Sequence, residues 1–301
     1  MKRRYEWVWW DVFTSRPLTG NQLLIFPDAR GLSTQKMQAL AREAALSETA
    51  FIVPKPAAVE RKCGVRVRIF TPREELRFAG HPALGAAMFL RSRTARPQTE
   101  VVLDLGVGRI PVRFTVGSRG MVFGEMRQID PKFGATHDPV KIAPLLGLSP
   151  EDIVSDPPIQ SVSTGLPYVI VGLRSLGALG SLRIDWRAAL QYLGRKQPVQ
   201  IFYCVTTASG NRKARLRARC IDVANEDPAT GSAAGCAAAW MVRHGLADPD
   251  EQVLIEQGHE IARPSQIFVR AGMRTGRVID VRVGGHAVEV MRGEYRFRQP
   301  I

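Results

Sequence analysis

Two short polar stretches, each directly before a run of small residues, contain the side chains best suited to proton transfer. In the first, Gly80, His81 and Pro82 precede the run 83–90. In the second, residues 226–232 (Glu-Asp-Pro-Ala-Thr-Gly-Ser) precede the run 233–240. An imidazole in one stretch, and carboxylates and hydroxyls in the other, are groups that hold, orient or transfer protons.

Both runs of small residues predict a buried helix. Pro82 fits the first turn of a helix, where its missing N–H would have no partner. The run 83–90 is apolar on all sides, as in helices that are buried. The N-terminus of a helix favours an anion because backbone N–H groups and the helix dipole face that end. Two such helices, far apart in sequence, predict two similar lobes that face one site.

Glu48 lies between the end of a predicted helix and the start of a predicted strand. From the sequence alone, a surface carboxylate is the simplest interpretation of such a residue. The apolar neighbours Leu46 and Phe51 would permit burial instead. Burial would raise the pKa of the carboxyl group from about 4.3 towards neutrality, where it becomes a useful general base.

The other candidates also allow a structural and a functional interpretation. His81 is either an ordinary loop histidine or, at a helix N-terminus, a neutral hydrogen-bond partner or proton relay. Asp227 either forms a turn before a proline or faces His81, where it would orient the imidazole or hold a substrate amine. Ser232 is a candidate N-cap, ligand or both. The glycines that open the two helices, Gly80 and Gly231, would let the backbone approach a ligand carboxylate closely.

The composition excludes several classes of protein. With 301 residues, 45% hydrophobic and 23% charged, the chain resembles globular proteins and has room for two cores of about 100–150 residues. No run approaches about 18 consecutive apolar residues, so we expect no membrane span. The N-terminus lacks the features of a signal peptide. The scattered cysteines (Cys63, Cys204, Cys220 and Cys236) predict free thiols in a reducing cytoplasm.

The spacing of potential ligands predicts neither a metal site nor a cofactor site. The cysteines and the histidines at 244, 259 and 286 lack the separations typical of metal ligands. Gly106 and Gly108 lead into a predicted strand, whereas a nucleotide-binding glycine loop leads into a helix. We therefore expect no metal and no cofactor.

The net charge of +14 raises the alternative of a nucleic-acid-binding protein. The arginines are spread along the chain, however, and the one basic run, residues 212–219, alternates with apolar residues as a half-exposed strand would. We expect a solvated strand there, and no nucleic acid. The positive charge would also raise the local concentration of an anionic substrate.

Hydrophobic periodicity and helix caps predict an α+β chain. Helices are predicted over 34–46 (capped by Ser33), 140–146, 150–154 and 232–243, and from the cap Asp185 to Leu193. Strands are predicted over 5–13, 23–26, 50–53, 64–70, 100–105, 109–116, 121–125, 159–163, 167–172, 200–206, 215–222, 252–257, 266–271, 277–283 and 286–296. Residues 130–138 are predicted to be a linker.

Four motifs resemble, in order, those of the phenazine-biosynthesis PhzF-like isomerase family. They are Asp11-Val12-Phe13 with Gly20-Asn21; residues 37–51, which end in Leu-Ser-Glu-Thr-Ala-Phe; Phe70-Thr71-Pro72 with residues 78–82; and residues 226–232. Together they span most of the chain. The resemblance implies the diaminopimelate-epimerase-like fold: two similar lobes, each a barrel-like, mostly antiparallel sheet around a central buried helix.

The resemblance also implies domain boundaries, assembly and residue roles. The first lobe would comprise residues 1–120 with the C-terminal strand 287–301, and the second residues 121–286. Similar proteins are homodimers without cofactor or metal, with the active site in the cleft between the lobes. The family's glutamate proton carrier corresponds to Glu48, and His81 and Asp227 would complete the catalytic set. The substrate would be bound by Asn21, Gly80, Thr230, Gly231 and Ser232.

Two features set this chain apart from its relatives. Gln22 stands where the family usually has a proline after the Gly-Asn pair. Because that loop borders the substrate in similar proteins, we expect the substrate contacts to differ. Related amino-acid epimerases carry a cysteine at each helix N-terminus, and its lack here disfavours a thiol-based racemase. Cys236, about one turn inside its helix, is expected to serve packing.

The leading hypothesis is a cofactor-independent isomerase that moves a proton between carbons of a small carboxylate-bearing substrate, a 1,3-allylic shift. Glu48 would remove the proton and return it on the same face. Two alternatives stay open. One is a two-base epimerase in which Glu48 or Asp227 faces another acid, and the other is a non-catalytic basic protein that binds nucleic acid or another anion. Salt-sensitive DNA binding would favour the last.

Overall fold

A computed structural model describes residues 4–94, 98–117, 120–194, 201–208, 215–223 and 225–296. Tertiary contacts divide the chain into two compact units. The first unit comprises Met1–Met126 and Gly284–Ile301, and the second comprises Arg127–Val283. The C-terminal strand therefore belongs to the same unit as the N-terminal strand.

The described residues form strands and helices in both units, which makes this an α+β protein. The helices are α1 (Thr34–Ala44), α2 (Ala57–Cys63), α3 (Gly80–Ser92), α4 (Pro139–Leu146), α5 (Leu176–Gly180), α6 (Trp186–Leu193) and α7 (Gly231–Arg243). The strands are β1 (Arg4–Val12), β2 (Asn21–Phe26), β3 (Thr49–Ile52), β4 (Val65–Phe70), β5 (Glu75–Leu76), β6 (Glu100–Leu105), β7 (Gly108–Val116), β8 (Val122–Arg127), β9 (Lys132–His137), β10 (Ile159–Ser163), β11 (Pro167–Gly172), β12 (Ile201–Thr206), β13 (Leu216–Ile221), β14 (Glu226–Asp227), β15 (Val253–Gln257), β16 (Ser265–Arg274), β17 (Arg277–Gly285) and β18 (Ala287–Arg296). No helix of the described residues has the length and apolarity needed to cross a membrane.

The sheet of the first unit is mostly antiparallel. Strand β1 pairs antiparallel with both β18 and β2, and β3 pairs antiparallel with β4. Strands β6, β7 and β8 form an antiparallel run. The parallel pairs are β2 with β3 and β4 with β6. Helix α3 packs against β1, β2, β3, β4 and β6, so that the sheet surrounds it on several sides.

Small residues let the first buried helix lie close to its strands. Most of α3 is buried, from His81 through Phe89. At Gly85 a Cβ atom would lie 2.5 Å from a methyl carbon of Leu23 and 2.8 Å from one of Val12. Only glycine fits at that distance, because protein interiors are packed to crystal-like density. The run of small residues thus reflects the close approach of helix and sheet.

Helix α1 packs on another face of the same sheet, and Glu48 lies in the short connection between this helix and β3. Ser33 caps the helix by accepting a hydrogen bond from the Lys36 N–H, as the sequence predicts. Met37 and Leu40 pack into a cluster that contains Phe51. Ala45, with φ of 53°, ends the helix two residues earlier than predicted. The chain then reaches β3 at Thr49, directly after Glu48.

The second unit has its own sheet and its own buried helix. Strands β9, β10 and β11 are antiparallel neighbours, β11 pairs parallel with β12, and β12 pairs antiparallel with β13. Strand β13 also pairs antiparallel with β14 and parallel with β15, and β15 pairs antiparallel with β16. Helix α7 packs against β10, β11 and β16 and is buried along nearly its whole length. Asp185 caps α6 by accepting from the Ala188 N–H, as predicted.

Two predicted elements are wrong for identifiable reasons. The predicted linker 130–138 contains β9, which pairs with β10. This strand is largely exposed, so it has no buried face to produce an alternating pattern. The helix predicted over 150–154 is a single 3₁₀ turn, Pro150–Asp152, because Ile153 is extended and bridges to Leu173. The short helices α2 and α5 and the two-residue strands β5 and β14 were not predicted.

The basic run 212–219 is only partly the solvated strand that the sequence predicts. Residues 212–214, like residue 200 of the predicted strand 200–206, lie outside the described residues. Arg215 is exposed and Arg217 is half-buried, but Arg219 is buried. The solvated interpretation is therefore wrong for Arg219, whose guanidinium group pairs with Glu226. An alternating pattern predicts which residues share a face but not whether that face meets another element.

Candidate active site

The first unit brings Glu48 and His81 close together. Glu48 precedes β3, and His81 is the second residue of α3. The Oε2 atom of Glu48 lies 3.6 Å from the Nδ1 atom of His81, slightly beyond hydrogen-bond distance. The side chain of Glu48 is 17% exposed and that of His81 only 6%. The fold thus brings a carboxyl group and an imidazole that are 33 positions apart in sequence close together, with both side chains mostly buried.

His81 is held in its neutral form. Burial lowers the pKa of its imidazole to about 3, and a hydrogen bond with the backbone of Gln22 opposes that effect only in part. Desolvation lowers the pKa of a histidine because the charged imidazolium loses favourable hydration when it is buried. Near pH 7 a neutral imidazole can both donate and accept a hydrogen bond, which suits it to relay or orient rather than to supply charge.

Strand β2 begins with Asn21 and Gln22, and the backbone of Gln22 contacts His81. Asn21 is the first residue of β2, pairs with Val12 and is buried. Gly20 has φ of 73°, and a Cβ there would lie 2.4 Å from the Val12 carbonyl oxygen, so glycine is required. Because Gln22 hydrogen-bonds to His81 through its backbone, this contact does not depend on the Gln22 side chain.

Gly80 opens α3 at an N-terminus that has no side-chain cap. The residue before it, Ala79, has no polar side chain. The first intrahelical hydrogen bond joins the Ala83 N–H to the Ala79 carbonyl. The N–H groups of Gly80 and His81 therefore point beyond the helix, the arrangement that favours an anion.

The second unit brings Asp227 and Thr230 together in the turn before α7. The Thr230 hydroxyl donates to Oδ2 of Asp227 at 2.7 Å. Behind the turn, the buried side chain of Gln257 donates to the Asp227 carbonyl at 2.7 Å and to Thr230 Oγ1 at 2.9 Å. Gln257 also accepts from the Thr230 N–H at 3.1 Å. The turn that carries Asp227 is thus held from inside by one amide.

Ser232 is not the helix cap that the sequence allows. Helix α7 begins at Gly231, so Ser232 is its second residue. Its Oγ atom lies 2.7 Å from the hydroxyl of Tyr168. Burial raises the pKa of Tyr168 well above 10, so the phenol stays protonated. Tyr168 therefore fixes the position of the Ser232 hydroxyl.

Gly231 and Cys236 are held from the interior of the second unit. Gln128 donates to the Gly231 carbonyl at 3.0 Å and accepts from Thr164 at 2.6 Å. Cys236 is fully buried, and burial raises the pKa of its thiol to about 11. A thiol that stays protonated near pH 7 is a packing residue and a weak nucleophile.

The predicted residues fall into two sets, one in each unit. Asn21, Glu48, Gly80 and His81 lie in the first unit, and Asp227, Thr230, Gly231 and Ser232 lie in the second. Among the described residues, no group of three or more histidine, cysteine or acidic side chains is placed to hold a metal ion.

Sequence reasoning did not single out Tyr168 or Gln257. Tyr168 follows the segment Ser-Thr-Gly-Leu-Pro at 163–167, whose composition marks a turn before a strand. Gln257 ends strand β15, in which every residue is buried, and its side chain is fully buried. A polar residue inside a buried strand needs hydrogen-bond partners, and that need was the available signal.

Comparison with known proteins places the chain in a family. The model of the family described as phenazine biosynthesis-like protein matches residues 10–293. The chain belongs to this family. A trans-2,3-dihydro-3-hydroxyanthranilate isomerase of Pseudomonas chlororaphis is 37% identical over 284 residues, covering 94% of this chain and 96% of that protein.

Solved structures of similar proteins agree with the family. A phenazine biosynthesis protein from Bacillus anthracis matches with a TM-score of 0.87 and 25% identity, covering 97% of this chain and 99% of that one. A predicted epimerase from Pseudomonas aeruginosa matches with a TM-score of 0.78 and 36% identity over the same shares of the two chains. The phenazine biosynthesis-like family thus accounts for nearly the whole length of this chain.

Proposed function

We propose that this chain is a cofactor-independent isomerase that shifts a proton between carbons 1 and 3 of an allylic unit in a small carboxylate-bearing molecule. The pair of Glu48 and His81 carries the proposal. A mostly buried carboxyl group lies 3.6 Å from an imidazole that burial keeps neutral. A base beside a neutral relay can take a proton from one carbon and return it to another.

The proposal gives each candidate residue a role. Glu48 removes the proton and returns it on the same face, and His81 orients or polarises the substrate. Asp227 and Ser232 act on the same substrate as hydrogen-bond partners. The N-termini of α3 and α7 bind its carboxylate through backbone N–H groups. The remaining substrate contacts come from Asn21, Gly80, Thr230 and Gly231.

The names of relatives support this reaction class and provide a first substrate. The Pseudomonas chlororaphis relative is named an isomerase of trans-2,3-dihydro-3-hydroxyanthranilate, and the match covers nearly all of both chains. We propose that compound as the first to test. The backbone contact from Gln22 to His81 would survive a change at this position, so Gln22 is proposed to alter contacts with the substrate and not the acid–base pair.

A two-base epimerase is the second candidate, because the Pseudomonas aeruginosa relative is described as a predicted epimerase. A thiol-based version does not fit the second unit, where burial raises the pKa of Cys236 to about 11. A carboxylate-based version would require a second acid to act with Glu48 or Asp227 from the opposite face of the substrate.

The proposal extends to architecture and assembly. The two units, Met1–Met126 with Gly284–Ile301 and Arg127–Val283, are proposed to be two similar lobes, each a barrel-like sheet around α3 or α7. The enzyme is proposed to be a cytoplasmic homodimer that uses no metal or cofactor. Light scattering should give a mass near twice 33.3 kDa, and a mass of 33.3 kDa would reject the dimer.

Incubation of the EDTA-treated protein with trans-2,3-dihydro-3-hydroxyanthranilate in D₂O tests the function. Proton NMR should show an isomer with a moved double bond and deuterium at the carbon that gained the hydrogen. Deuterium at an inverted stereocentre, with the double bonds unmoved, would favour the epimerase. No conversion together with salt-sensitive binding to random DNA would favour the non-catalytic class.

A further inference from the structure

The amide of Gln257 uses its full hydrogen-bonding capacity inside the second unit. Its Oε1 atom accepts from the Tyr203 hydroxyl at 3.2 Å and from the Thr230 N–H at 3.1 Å. Its Nε2 atom donates to the Asp227 carbonyl at 2.7 Å and to Thr230 Oγ1 at 2.9 Å. Gln257 and Tyr203 are both fully buried. Because an amide has two donors and two acceptor positions, every position is used.

These partners fix the orientation of the amide. A backbone N–H can only donate and a backbone carbonyl can only accept, so Oε1 must face the Thr230 N–H and Nε2 must face the Asp227 carbonyl. The Thr230 hydroxyl therefore accepts from Gln257, and its own proton goes to Oδ2 of Asp227. The hydrogen bonds form one directed chain from Gln257 through Thr230 to the Asp227 carboxyl group.

We propose that Gln257 is a positioning residue that holds Asp227 in its working orientation through Thr230. The inference rests on the proposed function, in which Asp227 binds the substrate. The hydrogen bond that the Thr230 hydroxyl donates fixes the position of Oδ2 of Asp227. Gln257 holds the start of α7 as well, since Thr230 is the residue before that helix.

Replacements along the chain of hydrogen bonds test the proposal. Thr230→Val removes the hydroxyl without changing the shape of the side chain, whereas Thr230→Ser retains it. Gln257→Met removes the amide. We expect Thr230→Val to lower kcat/KM at least about tenfold, because it removes a hydrogen bond to the Asp227 carboxyl group. Gln257→Met should cause a similar loss, because Gln257 holds the Thr230 hydroxyl that makes this bond. Thr230→Ser, which keeps the hydroxyl, should lose clearly less activity than Thr230→Val.

Gln160 provides the matched control. It is another nearly buried glutamine of the second unit, and its amide contacts the Gly134 carbonyl and His244. Gln160→Met makes the same chemical change away from Asp227 and should leave kcat/KM unchanged. Equal losses in Gln160→Met and Gln257→Met would show a merely structural role and overturn the inference.

The double variant Gln257→Met/Thr230→Val distinguishes positioning from two independent contributions. If Gln257 acts through Thr230, the double variant loses no more activity than the worse single variant. Losses that multiply would overturn the inference. A folded Gln257→Met variant with wild-type kcat/KM would also overturn the inference. If that variant does not fold, the difference in kcat/KM between Thr230→Val and Thr230→Ser tests the inference instead.

Amide hydrogen exchange separates failure of this inference from failure of the proposed function. The Thr230 N–H donates to Gln257, so it should exchange faster in Gln257→Met than in the wild type and remain unchanged in Gln160→Met. One outcome is that the wild type does not isomerise trans-2,3-dihydro-3-hydroxyanthranilate while the Thr230 N–H still exchanges faster in Gln257→Met. In that case the proposed function is wrong, but Gln257 does hold the turn that carries Asp227. Equal exchange in all three proteins would overturn the inference whatever the activity.

Discussion

The buried ion pair of Arg219 and Glu226 supports the strand that carries Asp227. The guanidinium group binds the carboxylate with two hydrogen bonds, Nε to Oε1 at 2.9 Å and Nη2 to Oε2 at 2.6 Å. Its Nη1 atom donates to the carbonyls of Leu179, at 2.9 Å, and Gly180, at 3.2 Å. The two side chains are only 8% and 11% exposed. Removal of the arginine would leave a buried carboxylate and two carbonyls without this partner.

We predict that Arg219→Met destabilises the protein by about 3–5 kcal/mol, the cost of breaking a buried pair from one side. At about 2–4 °C per kcal/mol for a unit of this size, Tm should fall by roughly 6–20 °C. The control is Arg113→Met, since Arg113 pairs with Glu100 at 3.1 Å with side chains 67% and 40% exposed. An exposed pair contributes less than about 1 kcal/mol.

Thermal unfolding followed by circular dichroism measures both variants. The double variant Arg219→Met/Glu226→Leu should recover much of the lost stability, because it removes both charges from the interior. If Arg219→Met lowers Tm no more than Arg113→Met does, the pair does not hold β14 in the way described.

Two further predictions concern buried titratable groups. Burial raises the pKa of Cys204 to about 12, that of Cys236 to about 11 and that of Cys220 well above 9. Near pH 7 a thiol reagent should therefore label the half-buried Cys63 and leave these three unlabelled until the protein unfolds. Labelling of all four cysteines in the native protein would contradict this. The folded-state pKa of His81 is lowered from 6.5 to about 3, so the unfolded state takes up a proton first as the pH falls. The stability that the folded protein gains from a neutral His81 is therefore complete above pH 6.5 and is lost as the pH falls towards 3. Ring-nitrogen NMR should show a neutral His81 at pH 5, and an imidazolium at that pH would refute the effect of burial.

Much of the fold could be predicted because local signals agree with the tertiary structure. The caps Ser33 and Asp185 and the two small-residue helices are confirmed, since capping and close packing leave marks in the residue types themselves. Strand β9 was missed because an exposed strand leaves no periodic pattern. The burial of Arg219 was missed because it depends on a contact with α5, far away in sequence.

The site could be predicted only in part. Glu48 and His81 could be named from their motifs, but their 3.6 Å separation and the low pKa of His81 follow from how α3 packs inside the sheet. The hydrogen-bond partners of Gln257 could not be predicted, because they lie in a turn about 30 residues earlier in the chain. Hydrogen-bond networks of this kind are set by tertiary contacts, which periodicity does not encode.

Glu48→Gln is the most direct test of the proposed mechanism. The change keeps the size and shape of the side chain but removes its ability to accept a proton, so the loss should be about 10²–10⁴-fold or more. The matched control is Glu43→Gln, an exposed carboxylate on α1. With trans-2,3-dihydro-3-hydroxyanthranilate in D₂O, Glu48→Gln should bind the compound nearly as well as the wild type but show neither isomerisation nor deuterium incorporation, while Glu43→Gln remains active. Isomerisation by Glu48→Gln at the wild-type rate would contradict the account.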